Sequence, residues 1–213
     1  MSVVIGVDVG QRVDPTAIAV SEPERRNGET HFTIRHLERL PLGTSYPQIV
    51  ARLATLTAGV RERTGRRPTL YIDATGVGVP VVDLVREARV AADVWACFFT
   101  FGDHRTVAQR EVRIGKAWLV SRLQALLQTG RIHLPQTTEA EALAQELLDY
   151  QITVDPDGDA KFGAFRVGTR DDLVTGLGLA CQGETSGWHD FFAKELAEAN
   201  AQLYRPSSWG SLG

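Results

Sequence analysis

The sequence predicts an α/β fold: a mixed β-sheet of about five strands with flanking helices and a late β-hairpin. Two observations predict it. Short runs rich in β-branched residues alternate along the chain with stretches whose apolar residues recur at helical spacing. The 213 residues are 43% hydrophobic and 23% charged, which is ordinary globular usage and enough for one domain to bury a core. This composition excludes a disordered tail, a collagen-like fibre and a disulfide-stapled miniprotein.

The first forty residues or so predict three strands. The β-branched run SVVIGVDVG ends in glycine and predicts a buried strand at 2–10. The segment at 14–22 begins with the turn dipeptide Asp14–Pro15 and predicts the second strand of a hairpin. Apolar and polar residues alternate over 31–40, so a third, half-exposed strand is expected there.

Helices and strands then alternate. A helix is expected at 45–65, where one apolar stripe comprises Ile49, Leu53, Leu56 and Val60. Apolar runs predict further strands at 68–76 and 93–99, on either side of a helix at 78–90.

The second half of the chain is mainly helical. A long amphipathic helix is expected at 110–130, closed by Gly130, with a buried side of Leu119, Leu123, Leu126 and Leu127. The later elements are a helix at 139–150, a hairpin at 151–167 turning at Asp157–Gly158, and a helix at 170–182 that opens with acidic residues. One domain is expected at 1–185, followed by a C-terminal helix and tail at 186–213.

Charge is distributed unevenly along the chain. The net charge is −3, but residues 51–133 carry +6 and residues 134–213 carry −8. The basic segment is mostly arginine, which suits bidentate contacts with phosphate, although solvated helix faces would give the same pattern. The net charge of −3 disfavours a protein that coats nucleic acid through general positive charge, and it still permits a local basic patch.

Other features bear on location. No apolar run approaches the ~18–20 residues that span a bilayer, and the amino-terminal segment has neither the basic region nor the cleavage site of a secretory signal. Cys97 and Cys181 lie far apart and form no CxxC pair. These observations predict a cytoplasmic chain without a membrane partner.

Four aspartates stand out by their positions. Asp8 lies inside the first strand and Asp73 ends the fourth, where a carboxylate is costly unless it is paired or bound to a cation. If these strands are neighbours, Asp8 and Asp73 meet at one sheet edge, and the helix that opens with Asp171 and Asp172 would close the site. Clustered carboxylates favour Mg²⁺ or Mn²⁺, and the sequence lacks the His/Cys spacing of zinc sites. Capping of a loop, turn or helix is the plain alternative for each residue alone.

Four segments resemble, in order, motifs of the nuclease domain of tailed-phage large terminase subunits. IGVDVGQRVDPTAIAV is similar to the first motif, and YIDATGVGVPVVDLV to the second, in which an aspartate ends a strand before a glycine-rich turn. GKAWLVSRLQALLQTGRIHLP and RDDLVTGLGLA resemble the later segments, the second of which matches the helix with paired aspartates. The resemblance covers roughly residues 3–182.

The resemblance implies a ribonuclease H-like fold and a two-metal nuclease. Asp8, Asp73, Asp171 and Asp172 would be catalytic and would hold two Mg²⁺ or Mn²⁺ ions, with Asp8 bridging them. Adjacent helix residues point about 100° apart, so one of the last two is expected to touch an ion directly. The substrate would be double-stranded DNA, cut from viral concatemers during genome packaging to leave 5′-phosphate ends. The implied partners are the portal, the small terminase and an ATPase motor, in the host cytoplasm.

The sequence departs from the family's pattern at three points. Arg170 stands where the family often has histidine, and the run Thr175–Gly178 stands where it often has Asp-Ala-Leu-Ala. Glycines inside a helix cost roughly 1 kcal/mol each relative to alanine, and close packing or approach to a substrate would explain Gly176 and Gly178. No GxxxxGK[ST] loop is present, so the chain is not expected to power packaging itself.

Five cations are candidate DNA contacts. Arg113 and Lys116 are three residues apart and are expected to share a helix face, and Lys161 lies in the hairpin. The full set is Arg105, Arg110, Arg113, Lys116 and Lys161. Phosphate contacts would give sequence-tolerant, salt-sensitive binding, and solvated charge is the alternative for each.

Three other functions remain open. IGVDVG also resembles the phosphate-binding start of sugar-kinase and actin-like ATPases, although those folds usually need two such domains. A Holliday-junction resolvase relative would share the fold and would prefer four-way junctions. A degenerate domain would only bind DNA or a capsid portal, and the retention of all four carboxylates argues against it.

Overall fold

The computed structural model describes residues 2–10, 13–149, 151–154, 160–163 and 170–182. Within them the strands are β1 (Val4–Asp8), β2 (Ala17–Arg26), β3 (Glu29–Arg39), β4 (Thr69–Asp73), β5 (Asp93–Thr100), β6 (Arg105–Ala108), β7 (Glu111–Gly115), β8 (Ile132–His133), β9 (Gln151–Val154) and β10 (Ala160–Gly163). The helices are α1 (Tyr46–Thr64), α2 (Gly78–Glu87), α3 (Lys116–Gln128), α4 (Thr138–Asp149) and α5 (Asp172–Ala180).

A mixed sheet of eight strands lies at the centre, in the order β6-β7-β5-β4-β1-β2-β3-β8. β1, β2 and β3 form an antiparallel meander, and β4, β5 and β7 extend the sheet from β1 as parallel strands. β9 and β10 pair separately as the late hairpin. The predicted α/β class with a mixed sheet is confirmed, with eight strands in that sheet where about five were expected.

The prediction of one long helix at 110–130 is wrong for residues 110–115. That part belongs to a hairpin of β6 and β7, and α3 begins only at Lys116. In β7 the buried Val112 and Ile114 alternate with exposed neighbours, which is the period of a strand. Gly115 has an extended backbone and ends this strand directly before the helix.

Helices cover both faces of the sheet. On one face, α1 and α2 pack over the larger apolar core, which contains alternate residues of β5 such as Ala96. On the other face, Leu119 of α3 and Leu179 of α5 pack on Val112 and Ile114. The sheet is therefore buried between helical layers along its central strands.

α5 lies directly on the sheet because glycines allow the approach. A side chain at Gly6 of β1 would collide with the backbone carbonyl of Gly176, and a Cβ at Gly178 would lie 2.7 Å from Cγ of Leu119. At the carboxyl end of α5, the Ser21 hydroxyl donates to the carbonyl of Ala180 at 2.6 Å. This close seat fixes the other end of α5 at the edge where β1 and β4 end.

Some expectations fall outside these segments. The turn at Asp157–Gly158 and the C-terminal helix and tail at 186–213 lie outside the described residues. Among the helices that are described, none is long and apolar enough to cross a membrane.

Candidate active site

One pocket gathers all four of the aspartates that the sequence singles out. It holds about 400 Å³ and opens where the parallel neighbours β1 and β4 end. Asp8 ends β1 and Asp73 ends β4, while Asp171 and Asp172 stand at the start of α5. Asp14, which the sequence did not single out as a site residue, and Lys116, the first residue of α3, complete the charged lining. The fold thus brings five carboxylates and one ammonium group to one edge of the sheet.

The pocket disfavours the ionised form of Asp8. Burial raises the pKa of Asp8 well above its usual range, and the negative charges of Asp73, Asp171 and Asp172 raise it further. The ammonium group of Lys116 acts in the opposite direction. Ionised Asp8 is therefore held against its electrostatic preference, which a bound cation would reverse.

Asp73 is held by the loop that follows it. Burial raises the pKa of Asp73, whereas hydrogen bonds from Thr75 and the charge of Lys116 lower it. The backbone N–H of Thr75 donates to Oδ1 of Asp73 at 2.8 Å, and the Thr75 hydroxyl accepts from the backbone N–H of Phe99 at 2.9 Å. Nζ of Lys116 lies 5.8 Å from the centroid of the Phe99 ring. The loop after β4 is thus fixed to β5 beside the lysine.

Asp172 is deeply buried and is held by an arginine. Its side chain is 3% exposed, and its Oδ2 accepts a hydrogen bond from Nε of Arg39 at 2.6 Å. Its second oxygen, Oδ1, is buried and has no hydrogen-bond partner among the described residues. An ionised oxygen in that state is costly, and a cation is a partner that would satisfy it.

The same arginine also binds Glu146 of α4. Nη2 of Arg39 forms an ion pair with Oε1 of Glu146, a side chain that is 7% exposed. Oε2 of Glu146 accepts hydrogen bonds from the backbone N–H groups of Leu173 at 3.0 Å and Val174 at 3.3 Å. Glu146 therefore caps α5 from outside, whereas the N-cap residue itself, Asp171, makes no side-chain capping bond.

Arg39 and Glu146 are not among the residues that the sequence pattern indicates. A signal for Glu146 was present, since Ala140, Leu143 and Glu146 recur at three-residue spacing and form the buried side of α4. A carboxylate on such a stripe requires a partner. Arg39 gives no comparable signal, because a charged side chain at the end of a strand is ordinary.

The four carboxylates line the pocket without converging on one point. In the described parts of the chain, no group of three or more His, Cys, Asp or Glu side chains is placed to hold a metal ion. Mutual repulsion of ionised carboxylates favours such spacing, and the bond to Arg39 draws Asp172 to one side. The donor set remains all oxygen, which is the set that Mg²⁺ and Mn²⁺ prefer.

The predicted DNA contacts do not lie together. Lys116 lies in the carboxylate pocket. Arg113 belongs to β7 and Lys116 to α3, so the prediction that they share a helix face is wrong. Lys161 lies in β10, opposite Thr153 of β9.

Arg105 and Arg110 make contacts within the chain. Nε of Arg105 donates to Oε1 of Gln182 at 2.8 Å. Nη1 of Arg110 lies 3.5 Å from Oδ1 of Asp93, and its guanidinium lies 5.8 Å from the ring centroid of Trp95.

Arg110 belongs to a second, basic cavity, here named the arginine cleft. It holds about 560 Å³ and lies at the start of β5, whereas the carboxylate pocket lies near the end of that strand. Four arginines line the cleft: Arg67, Arg86, Arg89 and Arg110. Five cations from the basic middle of the chain therefore lie in two separate cavities.

Comparison with known proteins agrees with this geometry. The family model described as "Terminase RNaseH-like domain" matches residues 5–180. No curated protein sequence matches the chain.

Several solved structures share the fold. The large terminase nuclease from thermophilic phage G20c with bound magnesium is 21% identical, with a TM-score of 0.57 over 84% of this chain and 79% of that chain. The nuclease domain of the Thermus phage P74-26 large terminase is 20% identical, with a TM-score of 0.54 over 84% and 77%. The human cytomegalovirus terminase nuclease domain is 16% identical, with a TM-score of 0.56 over 85% and 84%. Similarity at this level shows a common ribonuclease H-like fold.

Proposed function

The chain belongs to the terminase RNase H-like domain family, and on that premise we propose that it is a metal-dependent DNA endonuclease. The observation that carries the proposal is the meeting of Asp8, Asp73, Asp171 and Asp172 in one pocket of a terminase nuclease fold. The reaction would be hydrolysis of phosphodiester bonds in double-stranded DNA. Its setting would be the cutting of concatemeric viral DNA during genome packaging.

The residues of the pocket fit divalent cations. Their donors are carboxylate oxygens, Oδ1 of Asp172 is buried without a hydrogen bond, and a cation would relieve the repulsion that raises the pKa of Asp8. The G20c relative, described with bound magnesium, gives independent support. We propose that the four aspartates hold two Mg²⁺ or Mn²⁺ ions, with Asp8 between them. Held by these aspartates, such ions would supply Lewis-acid stabilisation of the attacking water and of the departing 3′ oxygen.

The chain's own groups would orient the reaction. Asp8 and Asp73 end adjacent parallel strands, so the sheet fixes the backbone of both. Lys116 lies beside them and offsets part of the negative charge that an incoming phosphate must meet. We propose Lys116 as a direct contact to the phosphate in the pocket.

Asp171 and Asp172 would have different roles. One oxygen of Asp172 is bonded to Arg39, which leaves only Oδ1 for an ion. Asp171 is half-buried and lines the same pocket. We therefore propose that Asp172 contacts an ion through Oδ1 alone and that Asp171 supplies a second ligand from the pocket lining.

The remaining contacts and partners stay predictions. The sequence also predicts Arg105, Arg110, Arg113 and Lys161 as DNA contacts. Lys116 is the one that the pocket supports, whereas the ion pair of Arg110 with Asp93 in the arginine cleft argues against Arg110. For packaging, the proposed partners beside double-stranded DNA are the portal, the small terminase and an ATPase motor, in the host cytoplasm.

A plasmid-cleavage assay with Mg²⁺ or Mn²⁺ tests the function. The parental chain should convert supercoiled DNA to nicked and linear forms, and chelation by EDTA should stop the reaction. Asp8→Asn should reduce cleavage to the level of the EDTA control while leaving the circular-dichroism spectrum unchanged, since it removes the central ligand. Asp83→Asn, at an exposed position of α2, is the matched control and should cut at the parental rate.

The same assay separates the alternatives. No cleavage by the parental chain with either ion would refute the nuclease proposal, and cleavage by Asp8→Asn at the parental rate would refute the site. Preference for a four-way junction over linear duplex would favour a resolvase-like role. ATP hydrolysis without DNA cleavage would favour the alternative in which the first motif belongs to a sugar-kinase or actin-like ATPase.

A further inference from the structure

A buried ionic cluster lies next to the pocket and shares one residue, Asp172, with its lining. Arg39 ends β3, Glu146 lies on α4 and Asp172 begins α5, so one guanidinium ties three elements together. Arg39 is 22% exposed, and the carboxylates that it joins are 7% and 3% exposed. Desolvating such charges is expensive, so a cluster of this kind needs a reason beyond general stability.

The amino terminus of α5 supplies that reason. The first N–H groups of a helix need acceptors, and an aspartate at the N-cap position normally provides one with its own side chain. Asp171 makes no such bond, and Glu146 accepts from Leu173 and Val174 in its place. A capping aspartate turns its carboxylate back onto its own helix, whereas capping by Glu146 lets Asp171 line the pocket.

Arg39 acts on the neighbouring aspartate. Its Nε binds Oδ2 of Asp172 at 2.6 Å, which fixes that side chain and leaves Oδ1 as the oxygen without a hydrogen bond. Its positive charge also allows Glu146 and Asp172 to lie close together without net repulsion. Capping and charge compensation are therefore provided by two side chains outside the pocket.

We propose that Arg39 and Glu146 are positioning residues that present the Asp171–Asp172 pair to the bound ions. The proposal rests on the proposed metal-dependent nuclease and adds the support of its ligands. Residues that orient metal ligands typically change metal affinity by about 10- to 100-fold when they are removed. Loss of Glu146 should lower ion affinity by a factor in the same range, although Glu146 does not line the pocket.

Mn²⁺ binding to the full chain without DNA is the first measurement, with free Mn²⁺ followed by electron paramagnetic resonance. Glu146→Ala should weaken Mn²⁺ affinity by about 10- to 100-fold. Glu146→Gln keeps an acceptor oxygen for the two N–H groups, so its loss of Mn²⁺ affinity should be clearly smaller than that of Glu146→Ala. Glu141→Ala, at an exposed position of the same helix, should bind Mn²⁺ like the parent.

Cleavage kinetics provide a readout that a merely structural role would not move. The Mn²⁺ concentration for half-maximal cleavage by Glu146→Ala should rise by the same factor as its dissociation constant. The rate at saturating Mn²⁺ should return to within a few-fold of the parental rate. A change that only loosened the fold would lower the melting temperature and leave the Mn²⁺ affinity unchanged well below that temperature.

The outcomes distinguish this proposal from the one it rests on. A parental chain that binds no Mn²⁺ would overturn the proposed function and this inference with it. A parent that binds Mn²⁺, together with Glu146→Ala that binds it equally tightly, would overturn the positioning role alone. If Glu146→Ala does not fold, the Mn²⁺ affinities of Glu146→Gln and Arg39→Lys test the positioning role instead. Arg39→Lys should weaken Mn²⁺ binding, since a lysine cannot bridge two carboxylates through a planar fork. Parental Mn²⁺ affinity in both variants would overturn the positioning role of Arg39 and Glu146.

Discussion

Asp8 shows how a single residue can be unfavourable for the fold and useful for the proposed chemistry. It ends a strand next to the buried Val7 and Val9, and three other carboxylates act on it. The repulsion that destabilises its ionised form is the same force that would attract a divalent cation. Active sites commonly retain such groups at a cost in stability.

Removal of this charge should stabilise the metal-free protein. The pKa of Asp8 is raised in the folded chain above its ordinary value of 3.8, so between those two values the folded state binds more protons than the unfolded state. Stability therefore falls as the pH rises through this window, and the penalty is complete above the raised pKa. Asp8→Asn cannot ionise, so with EDTA at neutral pH it should melt higher than the parent, by about 2–4 °C for each kcal/mol relieved.

The pH series supplies the check on this prediction. The difference in melting temperature between Asp8→Asn and the parent should shrink as the pH falls through the raised pKa, because protonation then removes the same charge from the parent. Asp83→Asn, which changes an exposed carboxylate, should show no such trend. Equal melting temperatures for Asp8→Asn and the parent at neutral pH would show that burial and the neighbouring carboxylates destabilise ionised Asp8 only weakly.

At the scale of elements, α5 determines the shape of the site. It carries Asp172 at its first position and packs across β1 and β2, so its distance from the sheet sets the depth of the pocket. Gly176 and Gly178 make different contributions to that distance. A Cβ at Gly176 would lie 3.6 Å from the carbonyl oxygen of Ala17, an ordinary contact, whereas a Cβ at Gly178 would lie 2.7 Å from Leu119.

The two glycines should therefore respond oppositely to alanine. Gly176→Ala should raise the free energy of unfolding by about 1 kcal/mol, because alanine favours the helix and meets no obstacle. Gly178→Ala should lower the free energy of unfolding. Overpacking against the buried Leu119 costs about 1–3 kcal/mol, which exceeds the gain in helix propensity from alanine. Urea denaturation measures both variants against the parent. Stabilisation by Gly178→Ala equal to that by Gly176→Ala would show that α3 and α5 are packed loosely.

At the scale of the whole molecule, the sequence predicts the position of the carboxylates better than it predicts their support. Asp8 and Asp73 each end an apolar run, and adjacent parallel strands end at the same edge, so their proximity follows from local pattern and topology. The capping of α5 by Glu146 depends on how α4 docks against α5, which no local pattern specifies. Arg39 is missed for the same reason.

The hidden strand β7 illustrates a different limit. Val112 fits both patterns, because it alternates with Ile114 as in a strand and lies seven residues, or two helical turns, before Leu119. What separates the two is pairing with β5 on one side and β6 on the other, which is a property of the sheet and not of the segment. Short apolar runs before a helix are ambiguous in this way, and Arg113 was assigned to the wrong element as a result.

The distribution of basic groups over the molecule leads to the last prediction. Lys116 lies in the carboxylate pocket, whereas Arg110 lies in the arginine cleft at the start of β5, paired with Asp93. DNA that is bound for cleavage should contact Lys116 and should not contact Arg110. Loss of one phosphate contact reduces the slope of log affinity against log salt by about 0.9. Lys116→Gln should therefore flatten the slope by about that amount, and Arg110→Gln should leave it unchanged.

Binding can be measured by fluorescence anisotropy over a salt series, with both variants made in the Asp8→Asn background so that the DNA stays intact. Comparison with Asp8→Asn alone isolates each cation, because every chain then lacks the same carboxylate. An equal loss of slope with Arg110→Gln would mean that DNA follows β5 from the carboxylate pocket to the arginine cleft. In that case the basic middle of the chain would be one continuous DNA surface, and the separation of roles between its two ends would be wrong.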